Sequence, residues 1–284
     1  MIYKDGKMIV DCHTHINSPG NDAEASEHWV AAETVDACIV LAGSDGPNEE
    51  TNKKLAVYVN KHKDKMVGFA IVDPIEDNIG VKEIEFLTDR LGFKGLVLYC
   101  SACGFHPAHT QAMVLYELAQ QMRLPVFFHN SGFAVRSEAV LDYSQPHLLD
   151  EIARTFPDLK IVIGNMGVPF VEQAIAVVAK HENVYGDLTV RPSNVWETYN
   201  IVIAANENGV MDKLIFGSGF PYSRASECIE TLLGLNMLLA DTNLPTVPRN
   251  HIRNVIERES LELLGIKWSY RSKAVSNSED SSEK

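Results

Sequence analysis

Eight short runs of apolar, largely β-branched residues recur along this chain, each separated from the next by a longer stretch with helical patterning. That alternation restricts the fold more than any other feature. The runs are Met8–Cys12, Ala37–Leu41, Met66–Ile71, Gly95–Tyr99, Pro125–His129, Lys160–Gly164, Val184–Asp187 and Leu214–Gly217. Helical patterns fill the gaps at Asn52–Lys61, Ile79–Leu91, Thr110–Met122, Pro146–Thr155, Val171–His181, Trp196–Asn206 and Ala225–Leu239. A last one, His251–Leu264, carries Ile252, Val255, Ile256, Leu263 and Leu264 on one stripe. Strands alternating with helices make βαβ units and a parallel sheet. Eight such units close into a TIM barrel, an α/β fold of about 250 residues, and this chain has 284. An open doubly wound sheet is the weaker solution, because no Gly-x-Gly-x-x-Gly follows the first strand. One domain is expected over residues 1–271. The tail 272–284 is Ser, Asn, Asp, Glu and Lys with little to bury, and it reads as disordered.

In such a barrel the chemistry sits at the C-terminal ends of the strands. The first run leads into Asp11-Cys12-His13-Thr14-His15, where strand alternation points His13 and His15 to the same side. The fifth run ends in His129. Taken alone, each histidine is as readily a buried, hydrogen-bonded residue or a surface accident. Taken together, three imidazoles at one mouth are a complete ligand set for a divalent transition metal, with zinc first and manganese, cobalt or iron as alternatives.

Charge excludes other classes of partner. Against 38 acidic residues stand 25 Lys and Arg, and the net charge of −13 repels nucleic acid and anionic membranes. The N-terminal residues lack the apolar core of a signal peptide, and no run approaches the length of a membrane span. A cytoplasmic location is expected. Five cysteines, an odd number scattered over a long chain, read as reduced thiols. The Cys100-Ser101-Ala102-Cys103 pair has no second pair to complete a zinc site and reads as a tight loop.

From Ile9 to Ile266 the chain resembles the amidohydrolase-related family of metal-dependent TIM-barrel hydrolases, the group that includes aminocarboxymuconate-semialdehyde decarboxylase. The motifs that carry the resemblance are Asp11-Cys12-His13-Thr14-His15, Gly68-Phe69-Ala70-Ile71-Val72-Asp73-Pro74, Leu124-Pro125-Val126-Phe127-Phe128-His129, Asn183-Val184-Tyr185-Gly186-Asp187-Leu188 and Phe216-Gly217-Ser218-Gly219-Phe220-Pro221. It implies a metal held by His13, His15 and His129. It also implies hydrolysis of a small carboxylate-bearing ester, amide or lactone, or non-oxidative decarboxylation. Hydrolysis is preferred, because the chain lacks the long insertions of the larger decarboxylases. The implied partner is a small, anionic substrate, and a homodimer is implied by analogy alone.

Two of the family's usual positions are changed. The strand-six motif Gly-His-x-Gly is here Gly164-Asn165-Met166-Gly167, and the strand-eight aspartate of Gly-Ser-Asp-x-Pro is here Gly219. Asn165 hydrogen-bonds but does not shuttle protons at neutral pH. Asp187 is the nearest internal carboxylate: it replaces the missing acid if it faces inward, and otherwise caps the following turn. Asn165 and Asp187 are therefore the candidate catalytic residues. Lys94 at the base of strand four, and Arg191 and His106 in the loops after strands seven and four, are further mouth candidates that could meet an anionic substrate but read more readily as solvated or structural residues, and Tyr99 either lines the pocket or packs. The Gly217-Ser218-Gly219 turn has the look of a phosphate cradle, though the family motif accounts for its glycines. Because a general base contributes about 10²–10⁴ in rate, a second reading stands beside the enzyme. In it the barrel has lost its proton-handling residues and binds a metabolite or a protein.

Overall fold

A computed structural model describes residues 7–16, 21–43, 48–130 and 137–268. The strands are β1 (Val10–His15), β2 (Ala37–Leu41), β3 (Met66–Ile71), β4 (Gly95–Leu98), β5 (Val126–Phe128), β6 (Ile161–Ile163), β7 (Val184–Thr189) and β8 (Leu214–Gly217), paired in chain order and in parallel. The ends of the sheet join where Gly219 N–H donates to the His13 carbonyl at 2.8 Å and His15 N–H to the Phe220 carbonyl at 2.9 Å. The result is a closed (β/α)8 barrel, as the alternating runs require. Every residue of β2 to β6 is buried, because these strands pack side chains into the barrel on one face and under helices on the other.

The helices are α1 (Asp22–Ala31), α2 (Asn48–Lys61), α3 (Val81–Glu85), α4 (Cys100–Cys103), α5 (Thr110–Gln121), α6 (Leu149–Thr155), α7 (Val171–Lys180), α8 (Val195–Glu207), α9 (Ala225–Gly234), α10 (Arg249–Ile256) and α11 (Ser260–Leu263). No helix among the described residues is long and apolar enough to cross a membrane. The polar tail expected at 272–284 lies outside the described residues.

Several boundaries depart from the sequence pattern, each for a local reason. Strand β1 runs through both histidines where the apolar run ends at Cys12, because β2 continues the ladder to the Leu41 partner of His15. Strand β7 goes on to Thr189 because β8 still offers Gly217 as its partner. The helical pattern at Ile79–Leu91 becomes α3 followed by a π turn at Phe86–Arg90. The last pattern splits into α10 and α11 around Arg258, whose guanidinium turns inward to donate to the carbonyls of Leu214 at 2.7 Å and Met211 at 3.1 Å. Buried carbonyls need donors, and this side chain supplies them at the cost of a continuous helix.

Candidate metal centre

His13, His15 and His129 meet at the mouth of the barrel, and among the described residues they are the group whose ligand atoms approach closely enough to hold one ion. Their ring centroids are 5.0, 5.1 and 5.0 Å apart, and their planes cross at 73°, 72° and 73°. The arrangement is close to a three-bladed propeller. Nε2 of His15 lies 3.0 Å from Nε2 of His13 and 3.2 Å from Nε2 of His129. Nitrogens sharing one ion at about 2.1 Å stand roughly 3.0–3.4 Å from each other, so the spacing suits a common ligand.

What the far side of each ring touches decides which nitrogen carries the proton. Nδ1 of His13 faces Asp187 Oδ2 at 2.6 Å, and Nδ1 of His15 faces the Leu41 carbonyl at 3.2 Å. A carbonyl and a carboxylate oxygen only accept, so both Nδ1 atoms are donors and both Nε2 atoms present lone pairs. Two lone pairs 3.0 Å apart repel, and a cation between them would relieve that repulsion. Burial reinforces this. It pushes the His15 ring down to about 3, with His13 adding to the effect, and holds His129 well below the ordinary histidine range, so these rings stay neutral and able to ligate.

Asp187 is fully buried and lies behind His13, on the edge of that ring away from Nε2. Its Oδ2 also accepts from Thr189 Oγ1 at 2.8 Å and from the Asn165 amide at 2.9 Å, while Oδ1 is buried without a partner. Its hydrogen bonds go to His13, Thr189 and Asn165, and the 3₁₀ turn that follows β7 has no side-chain cap. Thr189 Oγ1 is itself 2.9 Å from His13 Nδ1. The apolar run of strand seven ends at Asp187, which hid Thr189; the signal was the alternation that places residues 187 and 189 on one face.

Asn165 follows β6 in a left-handed turn, with φ of 50° at Asn165, 47° at Met166 and 66° at Gly167. Its Nδ2 donates to the Asn130 carbonyl just past β5, which fixes the amide orientation and leaves Oδ1 with no hydrogen bond among the described residues. The turn is held by Met166, which is wholly buried. Gly219 adopts φ of 67°, and a Cβ there would stand 2.8 Å from the Thr189 methyl.

The other mouth candidates are engaged elsewhere. Arg191 pairs with Glu197 at 3.2 Å, and His106 Nδ1 accepts from the Ala108 amide at 3.0 Å. Tyr99 donates to the Ala42 carbonyl at 2.8 Å and lays its ring 4.5 Å from that of His129, so it walls the cluster. Lys94 is exposed at the start of β4, and Cys100 and Cys103 are free thiols on α4. The strand-eight turn cannot cradle phosphate: Ser218 N–H donates to Asp11 Oδ1, Gly219 N–H to the His13 carbonyl and Phe220 N–H to Ser218 Oγ. A bulge between Asp11 and Thr14 turns Asp11 away from the histidines, and it lines a small cavity with Thr14 and His28 on the other side of β1.

Comparison with known proteins agrees with this fold. The amidohydrolase family model matches residues 10–244. No curated protein matches the chain. Among solved structures, a probable 2-pyrone-4,6-dicarboxylic acid hydrolase from Acinetobacter baumannii, with citric acid bound, superposes with a TM-score of 0.65 at 14% identity, covering 91% of this chain and 99% of its own. A 5-carboxyvanillate decarboxylase from Novosphingobium aromaticivorans, a point variant with manganese and 3-methoxy-4-hydroxy-5-nitrobenzoic acid bound, gives 0.65 at 11%, covering 92% and 98%. The 2,6-dihydroxybenzoate decarboxylase of Rhizobium gives 0.59 at 13%, covering 91% and 99%. At these identities the likeness is one of fold.

Proposed function

Since the chain belongs to the amidohydrolase family, we propose that it is a metal-dependent enzyme that hydrolyses or decarboxylates a small carboxylate-bearing substrate at the mouth of its barrel. The observation that carries the reading is the convergence of two Nε2 lone pairs, each fixed by an acceptor behind its ring, with the third imidazole 3.2 Å from His15. His13, His15 and His129 are the residues that would hold one divalent ion. Zinc suits an all-imidazole set, and the manganese bound by the Novosphingobium relative makes manganese the second metal to try. Such an ion supplies Lewis acidity toward a substrate oxygen.

The chain's own residues do the rest. His15 and His129, both partly exposed, open the cluster to the mouth, while Tyr99 closes its side. Asn165, its Nδ2 engaged by Asn130, offers a carbonyl oxygen to a hydroxyl or amide on the substrate. Citric acid in one relative and a substituted benzoic acid in another support an anionic, carboxylate-bearing substrate. Hydrolysis remains the preferred reaction, with the decarboxylases among the relatives making carbon dioxide release the second assay.

One observation favours the non-catalytic alternative. Asp187, the nearest internal carboxylate, is turned to the back of His13, and by the sequence resemblance Asn165 and Gly219 stand where the family has its proton-handling residues. Elemental analysis of protein reconstituted with zinc or manganese, beside assays of lactone, ester and aryl-carboxylate substrates, separates the two. We expect close to one metal per chain and a turnover that falls by well over ~100-fold when His13, His15 or His129 becomes alanine, a loss larger than removal of an outer partner causes. Protein that takes up no metal and turns nothing over defeats the enzyme.

A further inference from the structure

We infer that Asp187 is a positioning residue: with Thr189 it locks His13 as the Nδ1–H tautomer and aims its Nε2 lone pair at the metal position. The inference rests on the proposed metal-dependent function for its purpose, but its geometry stands by itself. Three donors converge on the single oxygen Oδ2: His13 Nδ1–H at 2.6 Å, Thr189 Oγ1–H at 2.8 Å and Asn165 N–H at 2.9 Å. Thr189 Oγ1 stands 2.9 Å from the same Nδ1, so the ring proton has oxygen acceptors on two sides, whereas in the opposite tautomer it faces the His15 Nε2 at 3.0 Å and leaves Asp187 Oδ2 without its shortest donor.

The second carboxylate oxygen shows that the group is more than packing. Oδ1 is buried with no partner, and a Cβ on Gly217 would come within 2.5 Å of it and 2.8 Å of His13 Cβ. A buried acceptor left unpaired is destabilising, and a chain selected only for stability would not keep one here. The expense is explained if the charge itself is needed. A carboxylate behind a ligating imidazole fixes its tautomer, orients the ring and raises its basicity, and loss of such a partner typically weakens metal affinity 10–100-fold.

Asparagine is the informative replacement. Its oxygen in the Oδ2 position leaves its amide protons facing Gly217 with nothing to donate to. Turned the other way, its amide protons face three donors, and His13 escapes only by moving its own proton to Nε2, where the proton blocks the metal. The apo protein supplies a readout independent of activity. In long-range ¹⁵N–¹H NMR of metal-free wild type near neutral pH, we expect His13 protonated on Nδ1 and bare on Nε2. In Asp187→Asn we expect Nε2–H to appear, and the dissociation constant for Zn²⁺, from chelator competition, to rise 10–100-fold. The milder Thr189→Val, which keeps the carboxylate, is expected to leave the tautomer in place and to raise the constant less.

A wild-type His13 protonated on Nε2 overturns the inference whatever the variants do, including an Asp187→Asn that does not fold. So does Asp187→Asn that folds and binds Zn²⁺ as tightly as wild type. A wild type that shows the Nδ1–H tautomer but takes up no Zn²⁺ defeats the proposed function while upholding the lock.

Discussion

At the scale of single residues the site turns on which atoms an acceptor leaves free. His13 and His15 keep Nε2 free because Asp187 and the Leu41 carbonyl hold their other nitrogens, and the Asn165 amide is oriented because the Asn130 carbonyl engages its nitrogen. Restoring the family's strand-eight acid follows the same steric logic. At Gly219 an aspartate meets a left-handed backbone, costing about 1 kcal/mol, and the Thr189 methyl 2.8 Å from its Cβ. Gly219→Asp alone should therefore lower the melting temperature and gain no metal affinity. Adding Thr189→Ser removes the methyl, keeps the hydroxyl on Asp187 and His13, and should recover most of the melting temperature while tightening metal binding. Calorimetry with metal titration checks both, and equal stability of the two variants would dismiss the steric account.

At the scale of elements, the turn after β6 shows how the barrel stores a strained conformation next to its chemistry. Asn165 tolerates φ of 50°, but Met166 at 47° is uncommon for an L residue and persists because its side chain is fully buried. Met166→Ala removes that anchor and leaves a void, for which a loss of about 2–5 kcal/mol is expected from chemical denaturation. The same variant should weaken substrate binding through Asn165 while leaving the three-histidine site able to load metal. Metal lost along with the turn would show that β6 and the histidines are one unit.

At the scale of the whole molecule, burying neutral histidines makes the fold sensitive to acid. His15 is pushed down to about 3 and His28 to about 4, both chiefly by burial, and His129 lies well below its ordinary value. Unfolding returns each to about 6.5, so their contribution is complete above that pH and is lost as pH falls toward 4. Asp11 acts in the opposite sense: burial raises it from 3.8 to about 6, so its contribution is present at low pH and is lost as pH rises through 6. Three histidines against one aspartate leave about two protons taken up on unfolding, or roughly 3 kcal/mol per pH unit at the steepest. The metal-free protein should thus melt progressively lower from pH 6.5 to pH 4. Replacing His28 with phenylalanine should flatten the profile by about one proton, and an unaltered slope would rule its burial out as a cause.

Much of this was legible in the order of residues. The eight strands, the closure in chain order and the meeting of His13, His15 and His129 follow from apolar runs alternating with helical patterns and from strand ends, because such runs are a local property of the sequence. What escaped was whatever depends on a neighbour distant in sequence. Asp187 and His13 are 174 residues apart, so no local pattern says that the carboxylate lies behind the ring instead of beside the metal position. Thr189 fell past the end of the apolar run, and the last helix divided where Arg258 donates to carbonyls of Met211 and Leu214 at the start of β8. The sequence determined which side chains arrive at the mouth; closing the sheet decided which of their atoms remain free there, since a hydrogen bond taken behind a ring is settled only when two strands become neighbours.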